Sequence, residues 1–372
     1  MCKRLFIYIF YLIFIYIIFN LFIGGAYYVN GSNPYNTENF PEPAYTYGND
    51  HILYRIEDVD IDSSTVYILT QPEPVVHIFE DGDFSKSWGK KGRGPSELTN
   101  PRSLGASQNR IVVANMHPNR ILWFSPSGTL KAEATLRTGL LTGIEVNSEV
   151  VIAQTEQFRG SRVTLTMVSS SESTERLFSF QSGPSVRIEP PAGPNLTLPA
   201  PFQSRTVWTL LENRRIARVE EGSREISIID LHGNLLQTWK IPKRTYRVRE
   251  EDGRAWIYRQ LDPHTVAFGQ EDPFQKTRKE ALETVDFPDR YPPALEILSD
   301  AKQGIWVLRA DRKKGQIWTH LCSKHPPRTV SFPPGLRISA FGAKYIAVRD
   351  RGKNGIELVK LYNRNQVLKR AE

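Results

Sequence analysis

The sequence predicts an all-β protein, a six-bladed β-propeller of four-stranded antiparallel blades, and three observations carry that prediction. The first is a repeat. Val66-Tyr-Ile-Leu69, Val75-Val-His-Ile-Phe79 and the turn Glu80-Asp-Gly-Asp83 precede a glycine-rich junction running from Gly89 to Leu104. Ile111-Val-Val-Ala114, Arg120-Ile-Leu-Trp-Phe124 and the turn Ser125-Pro-Ser-Gly128 follow it in the same order. Strands and tight turns recurring at a period of roughly 45 residues mark a propeller blade, not a helical solenoid. The second is composition: 25 Pro and 25 Gly are scattered over 372 residues with few long helical patterns, which favours short strands joined by turns. The third is the count of such units, which reaches six by the C-terminus.

Taken in chain order, the first element is of another kind. Lys3 and Arg4 precede Leu5 to Ile23, a run that is apolar and aromatic apart from Asn20. A signal-peptide core takes about 7 to 15 residues and a spanning helix about 20, so the length favours an uncleaved anchor, while Gly24-Gly-Ala26 still permits cleavage. The positive flank keeps the N-terminus cytoplasmic and sends the rest outward. Residues 1–26 are therefore expected to be a signal anchor or signal peptide. Residues 27–50, rich in Asn, Pro, Tyr and Gly without periodicity, read as a spacer, and 51–372 as the propeller.

Blade one is expected at Val59 to Asp62, Val66 to Leu69, Val75 to Phe79 and Phe84 to Trp88, and blade two between Arg102 and Leu136. Blade three takes Gly143 to Val146, Val150 to Ala153, Arg162 to Val168 and Glu175 to Phe180. The proline-rich Gly183 to Pro201 cannot be a central strand and reads as a connection. Blade four follows at Thr206 to Leu210, Arg215 to Val219, Glu225 to Ile229 and Leu236 to Ile241. Residues 249–293 break the period and read as an insertion, with a helix around Lys276 to Thr284. Blade five resumes at Ala294 to Leu298, Gly304 to Leu308, Gln316 to His320 and Thr329 to Phe332. Blade six is expected at Arg337 to Ala340, Tyr345 to Val348, Ile356 to Leu361 and Gln366 to Leu368.

Charge and cysteine usage bound the function. The formal charge is +8, and Lys3 and Arg4 belong to the targeting segment. A basic exported protein meets acidic polymers, head groups or acidic protein surfaces rather than nucleic acid. Cys2 precedes the apolar run and cannot be a lipoprotein cysteine. Cys322 is then the sole cysteine of the exported part, which excludes an internal disulfide framework.

The motifs that could carry chemistry are weak. The Gly89 to Leu104 junction lacks the Gly-Lys-Ser/Thr ending of a phosphate loop and leads into a strand, so it reads as a turn. Asp58, Asp60 and Asp62 alternate like the start of a calcium loop, but Ser63 stands where glycine is needed and Leu69 where glutamate is needed. Their alternation places them on one strand face, at a solvated edge or channel wall. His320, Cys322 and His325 form the one cluster of soft ligands, and a metal reading competes there with surface histidines beside a small buried thiol. No cofactor and no metal are called for.

Three places resemble the six-bladed propellers of exported bacterial proteins that look like the NHL-repeat group. They are Trp88-Gly-Lys-Lys-Gly-Arg-Gly-Pro-Ser-Glu97 with Pro101, Phe124-Ser-Pro-Ser-Gly128, and Phe287-Pro-Asp-Arg-Tyr-Pro-Pro293 leading into Gly304-Ile-Trp-Val307. The resemblance implies the fold and barely advances the function.

Blade geometry gives the better lead. In a four-stranded meander the loop after the second strand and the connection between blades emerge on one face. The second-strand ends Thr70, Asn115, Gln154, Arg218, Arg309 and Arg349 therefore ring one mouth, with Asp311 and Asp350 beside the last two and Arg102 entering from the connection. Guanidinium forks suit carboxylate or phosphate, so Arg102, Asn115, Gln154, Arg218, Arg309 and Arg349 are the candidate ligand-binding residues. The competing reading has the arginines pairing with Glu220, Asp311 and Asp350 to lock neighbouring blades. The expected function is a monomeric, exported or membrane-tethered binding module for an acidic envelope ligand or protein partner. The alternative is a lyase- or lactonase-like propeller enzyme with a metal at the channel, for which Asp60, Asn115 and Gln154 are the nameable ligands.

Overall fold

The computed structural model describes residues 40–48, 53–108, 110–137, 139–157, 162–188, 196–261, 275–301, 304–352 and 356–370. The apolar run Leu5 to Ile23 lies outside them, as does most of the spacer. Among the described residues no helix is long and apolar enough to cross a membrane.

Six four-stranded antiparallel sheets make up the fold: five follow one another along the chain, covering 56–88, 100–135, 140–181, 207–240 and 296–331, and the sixth takes three strands from 337–363 and one from Tyr45–Tyr47. Each of the first five is a meander, so the innermost strand comes first and the outermost last. The two middle strands of a blade are covered on both faces by neighbouring blades and read as continuous apolar runs, as in Thr65–Thr70 and Arg120–Phe124. The outer strand Asp83–Trp88 is exposed and correspondingly polar. Apolar clusters lie between successive blades: Leu69, Ile78, Leu104 and Phe124 join blades one and two, and Trp306, Trp318, Ile338 and Ile346 join blades five and six. The core is thus distributed over the blade interfaces.

Ring closure differs from the expectation. The outer strand of blade six is not Gln366 to Leu368, which belong to a short helix, Arg364–Leu368, whose N-cap Asn363 accepts hydrogen bonds from the backbone N–H groups of Asn365 and Gln366. Tyr45–Tyr47, inside the stretch read as spacer, fills that place by pairing with Glu357–Asn363, Tyr45 opposite Leu361. Tyr47 is buried and its ring centroid lies 4.2 Å from that of Phe79 in blade one. The first strand of the chain therefore closes the last blade and seals it onto the first.

The glycine-rich junction is a turn closed on itself. Lys90 Nζ lies 2.6 Å from Glu97 Oε1, Gly94 N donates to Glu97 Oε2, and Arg120 donates to the carbonyls of Gly94 and Glu97. The carboxylate of Glu97 occupies the seat a phosphate would need. Gly128, at φ +82°, lies against the Trp88 indole, where any Cβ would collide, so two of the resemblance motifs touch.

Two additions sit outside the blades. The 183–201 connection contributes a hairpin of Ser185–Ile188 and Leu196–Pro199. The 249–293 insertion forms helices Glu250–Gln260 and Gln275–Thr284, so Ala255 to Tyr258 are helical. Ile188, Phe202, Tyr246, Trp256, Ile257 and Tyr291 pack the two together and onto blade five. Asp252, Arg259 and Tyr291 each hydrogen-bond residues 311–313 of that blade.

Candidate functional site at the channel mouth

The channel is lined by the first strand of each blade, and side chains there tie one blade to the next. Asp58 Oδ2 accepts from Ser103 Oγ and Leu104 N, and Asp60 Oδ2 accepts from Ala106 N, joining blades one and two. Ser103 Oγ also reaches Ile144 O, at 3.4 Å. Glu145 Oε2 accepts from Leu210 N at 2.6 Å and from Thr209 Oγ1 at 2.9 Å, joining blades three and four. Ser299 N donates to Thr209 Oγ1, and a bridge between Asp300 and Phe341 carries the ring from blade five to six. Glu357 accepts from Ile56 N to close it.

Asp58, Asp60 and Glu145 are part-exposed to the channel and otherwise packed within protein. The surrounding protein controls their ionisation. Burial raises the pKa of Asp58, pushes Asp60 up to about 7 and pushes Glu145 up to about 8, against the lowering effect of the hydrogen bonds they accept. The alternating Asp58 and Asp60 thus belong to a channel wall, and their hydrogen bonds between blades leave no cage for calcium.

The six candidate residues fall into three groups. Asn115 is fully buried: its Oδ1 accepts from Thr99 N at 2.7 Å and Asn100 N at 3.0 Å, and its Nδ2 donates to Met116 O and Pro118 O. Arg309, 2% exposed, donates to Pro242 O and Arg244 O, and burial brings its pKa down to about 10. Arg349 donates to Ile56 O and Glu57 O. All three clamp the backbone connecting two blades. Arg102 and Arg218 instead pair with carboxylates, Glu57 at 2.9 Å and Glu220 at 2.6 Å. Of the proposed blade-locking pairs, Arg218–Glu220 forms within blade four, whereas Asp311 pairs with Arg259 and Asp350 with Lys360. Gln154 sits between Trp208 Nε1, which donates to its Oε1 at 2.6 Å, and Thr142 Oγ1, to which its Nε2 donates at 3.0 Å.

Gln154 also lines a cavity of about 630 Å³ that the ring of second-strand ends does not outline. Its walls come from blades three, four and five and from the 185–199 hairpin: Leu140, Phe180, Leu198, Trp208 and Ile297 are apolar, and Glu145, Glu156, Arg205 and Glu296 supply charge. Glu296 accepts no hydrogen bond, and burial raises its pKa against the pull of Arg205, Arg349 and Arg337. Arg205 and Arg337 are exposed and make no hydrogen bond or close ion pair among the described residues. Sequence reasoning missed Arg205, Glu296 and Glu145 because it followed second strands, whereas first strands face the channel. A carboxylate within an otherwise apolar first strand, as in Gly143 to Val146 and Ala294 to Leu298, was the available signal.

No protein-family model matches the chain, and no curated protein matches it. The chain is a six-bladed β-propeller. Solved structures similar to it include a member of the DUF4221 family from Bacteroides vulgatus, at 9% identity and TM-score 0.45, over 84% of this chain and 92% of that one. A virginiamycin B lyase from Staphylococcus aureus is similar at 13% identity and TM-score 0.40, over 82% and 94%. A calcium-binding regucalcin from Agrobacterium tumefaciens is similar at 11% identity and TM-score 0.43, over 87% and 96%. At this distance the likeness is one of fold alone.

Proposed function

We propose that this propeller is a binding module that takes an acidic group of a ligand or partner at the channel mouth, in the cavity between blades three, four and five. The observation that carries it is Arg205, a guanidinium uncommitted to any hydrogen bond or close ion pair, on the rim of an apolar and aromatic cavity floored by Glu145 and Glu296. An arginine so placed loses little on accepting a carboxylate or phosphate, because no existing partner must be given up. Glu296 keeps its proton to higher pH than an ordinary carboxylate and can share it with an incoming acid. Trp208, Phe180 and Leu198 offer an apolar body a place to bury. The apolar run Leu5 to Ile23 supports placing the module outside the cytoplasm, tethered or released.

The alternative, a propeller enzyme with a metal at the channel, finds fewer free donors. Both oxygens of Asp60 and the polar atoms of Asn115 and Gln154 are already engaged within the protein. Calorimetry with alkyl and aryl carboxylates and phosphates, each against its neutral amide or ester, tests the binding reading. Acidic probes should bind and neutral ones not, and Arg205→Ala should weaken binding about 10-fold or more, the worth of one charge-assisted hydrogen bond. Equal binding of neutral probes, or an unchanged Arg205→Ala, would overturn it.

A further inference from the structure

Blade five carries a second constellation, away from the channel. Its third and fourth strands, Gly315–Cys322 and His325–Ser331, form a hairpin in which Cys322 pairs with His325 and a bulge separates His320 from Cys322. One nitrogen of His320, Cys322 Sγ and one nitrogen of His325 all lie within 4.8 Å of one another. Among the described residues no other group of three such side chains brings its ligand atoms together in this way.

The state of His320 gives the cluster its meaning. This side chain is 2% exposed, and its Nε2 lies 2.9 Å from Asp300 Oδ2. Asp300 accepts from Gly304 N, Trp306 Nε1 and Arg364 Nη2, so it is an acceptor suited to a proton carried on His320 Nε2. In the neutral ring that tautomer leaves Nδ1 with its lone pair. Nδ1 has no hydrogen-bond partner, although leaving a buried nitrogen unpaired is costly. A carboxylate on one nitrogen of a histidine whose other nitrogen is unpaired is the arrangement that orients a metal-bound imidazole.

We propose that His320, Cys322 and His325 form a binding site for a borderline-soft divalent cation, zinc by the chemistry of its donors, with a fourth position open. Two imidazole nitrogens and one thiolate suit zinc, and carboxylate-seeking calcium or magnesium have no oxygen donor here. Tetrahedral coordination at the usual bond lengths puts ligand atoms about 3.4–3.6 Å apart, so the three must close by about 1 Å. His325 and Cys322 are part-exposed and free to make that movement, whereas His320 is held. His325 Nδ1 lies 3.1 Å from the carbonyl of Pro326, so a small rotation frees the ring. Binding replaces the thiol proton of Cys322, which goes to solvent, with a metal–sulfur bond. The Asp300 carboxylate offsets the nearby Arg364 guanidinium, whose Nη2 is 3.3 Å from His320 Nε2.

The test is titration of the purified full chain with Zn²⁺, and with Co²⁺ as an absorbing substitute. One equivalent should bind, and cobalt should give a thiolate charge-transfer band with tetrahedral ligand-field absorption. Cys322→Ser should abolish that band, and Cys2→Ser should leave it intact. Both Cys322→Ser and His325→Ala should weaken zinc by more than the about 10–100-fold that loss of an outer partner costs, with circular dichroism confirming that each variant is folded. No stoichiometric binding, or a cobalt spectrum unchanged in Cys322→Ser, would overturn the proposal. A band that disappears with Cys2→Ser instead would assign the metal elsewhere and equally overturn it.

Discussion

Replacing Glu145 by glutamine isolates the electrostatic cost of a carboxylate in the channel. Gln keeps the shape and an oxygen that can accept from Leu210 N and Thr209 Oγ1, the two bonds joining blades three and four, while the ionisable group is gone. In the wild type, burial moves the carboxyl from 4.5 to about 8. The folded protein therefore holds this proton more tightly than the unfolded chain, and unfolding releases it throughout that window. By linkage, the contribution of Glu145 to stability is greatest below the unfolded pKa and is lost as pH rises towards the folded one. At about 1.4 kcal/mol per unit, a dry channel would give a loss of about 5 kcal/mol. Glu145 is part-exposed, and solvent screening reduces the expected loss to about 1–3 kcal/mol. At about 2 °C per kcal/mol for a chain of this size, Glu145→Gln should gain about 2–6 °C over wild type on going from about pH 5 to about pH 9. Thermal melts followed by circular dichroism, run for both proteins across that range, read the difference directly. If the advantage of Glu145→Gln does not grow with pH, the account of Glu145 as a buried acid is wrong.

Two further outcomes follow from the ring. Asn115→Ala and Arg349→Met each strip partners from backbone groups between blades, and each should cost about 2–4 kcal/mol in urea denaturation; a loss under about 0.5 kcal/mol in both would refute the clamp assignment. Removing residues 1–39 should leave a folded propeller, whereas removing 1–48 takes away Tyr45–Tyr47, exposes the edge of Glu357–Asn363 and should give aggregation or a marked fall in melting temperature. Equal stability of the two truncations, measured by gel filtration and thermal melts, would count against closure by the N-terminal strand. For the same reason, external protease should release an intact propeller only when it cuts ahead of Phe40.

The sequence by itself determined the architecture, because a blade is a local object. Its four strands are consecutive, its apolar runs are continuous where two blades sandwich them, and Gly128 and the Gly89 to Leu104 junction mark its turns. One of the two helices of the insertion was legible, Gln275–Thr284, whereas Glu250–Gln260 was not. Closure was not, because the partner of Glu357–Asn363 is Tyr45–Tyr47, some 300 residues away, with no local pattern to announce it. The site was only half legible. Position along the second strands picked out Arg218 and Gln154, and the connection between blades picked out Arg102, but the same second-strand position holds Asn115, Arg309 and Arg349, whose polar atoms turn to the backbone of the neighbouring blade or connection. Which guanidinium stays free, as Arg205 does, depends on which carbonyls and carboxylates the packing brings within about 3 Å, and that distance is set by tertiary structure. The same holds for His320: its spacing to Cys322 and His325 was in the sequence, whereas Asp300, which lies against Nε2 while Nδ1 is unpaired, is brought beside it by the fold of blade five.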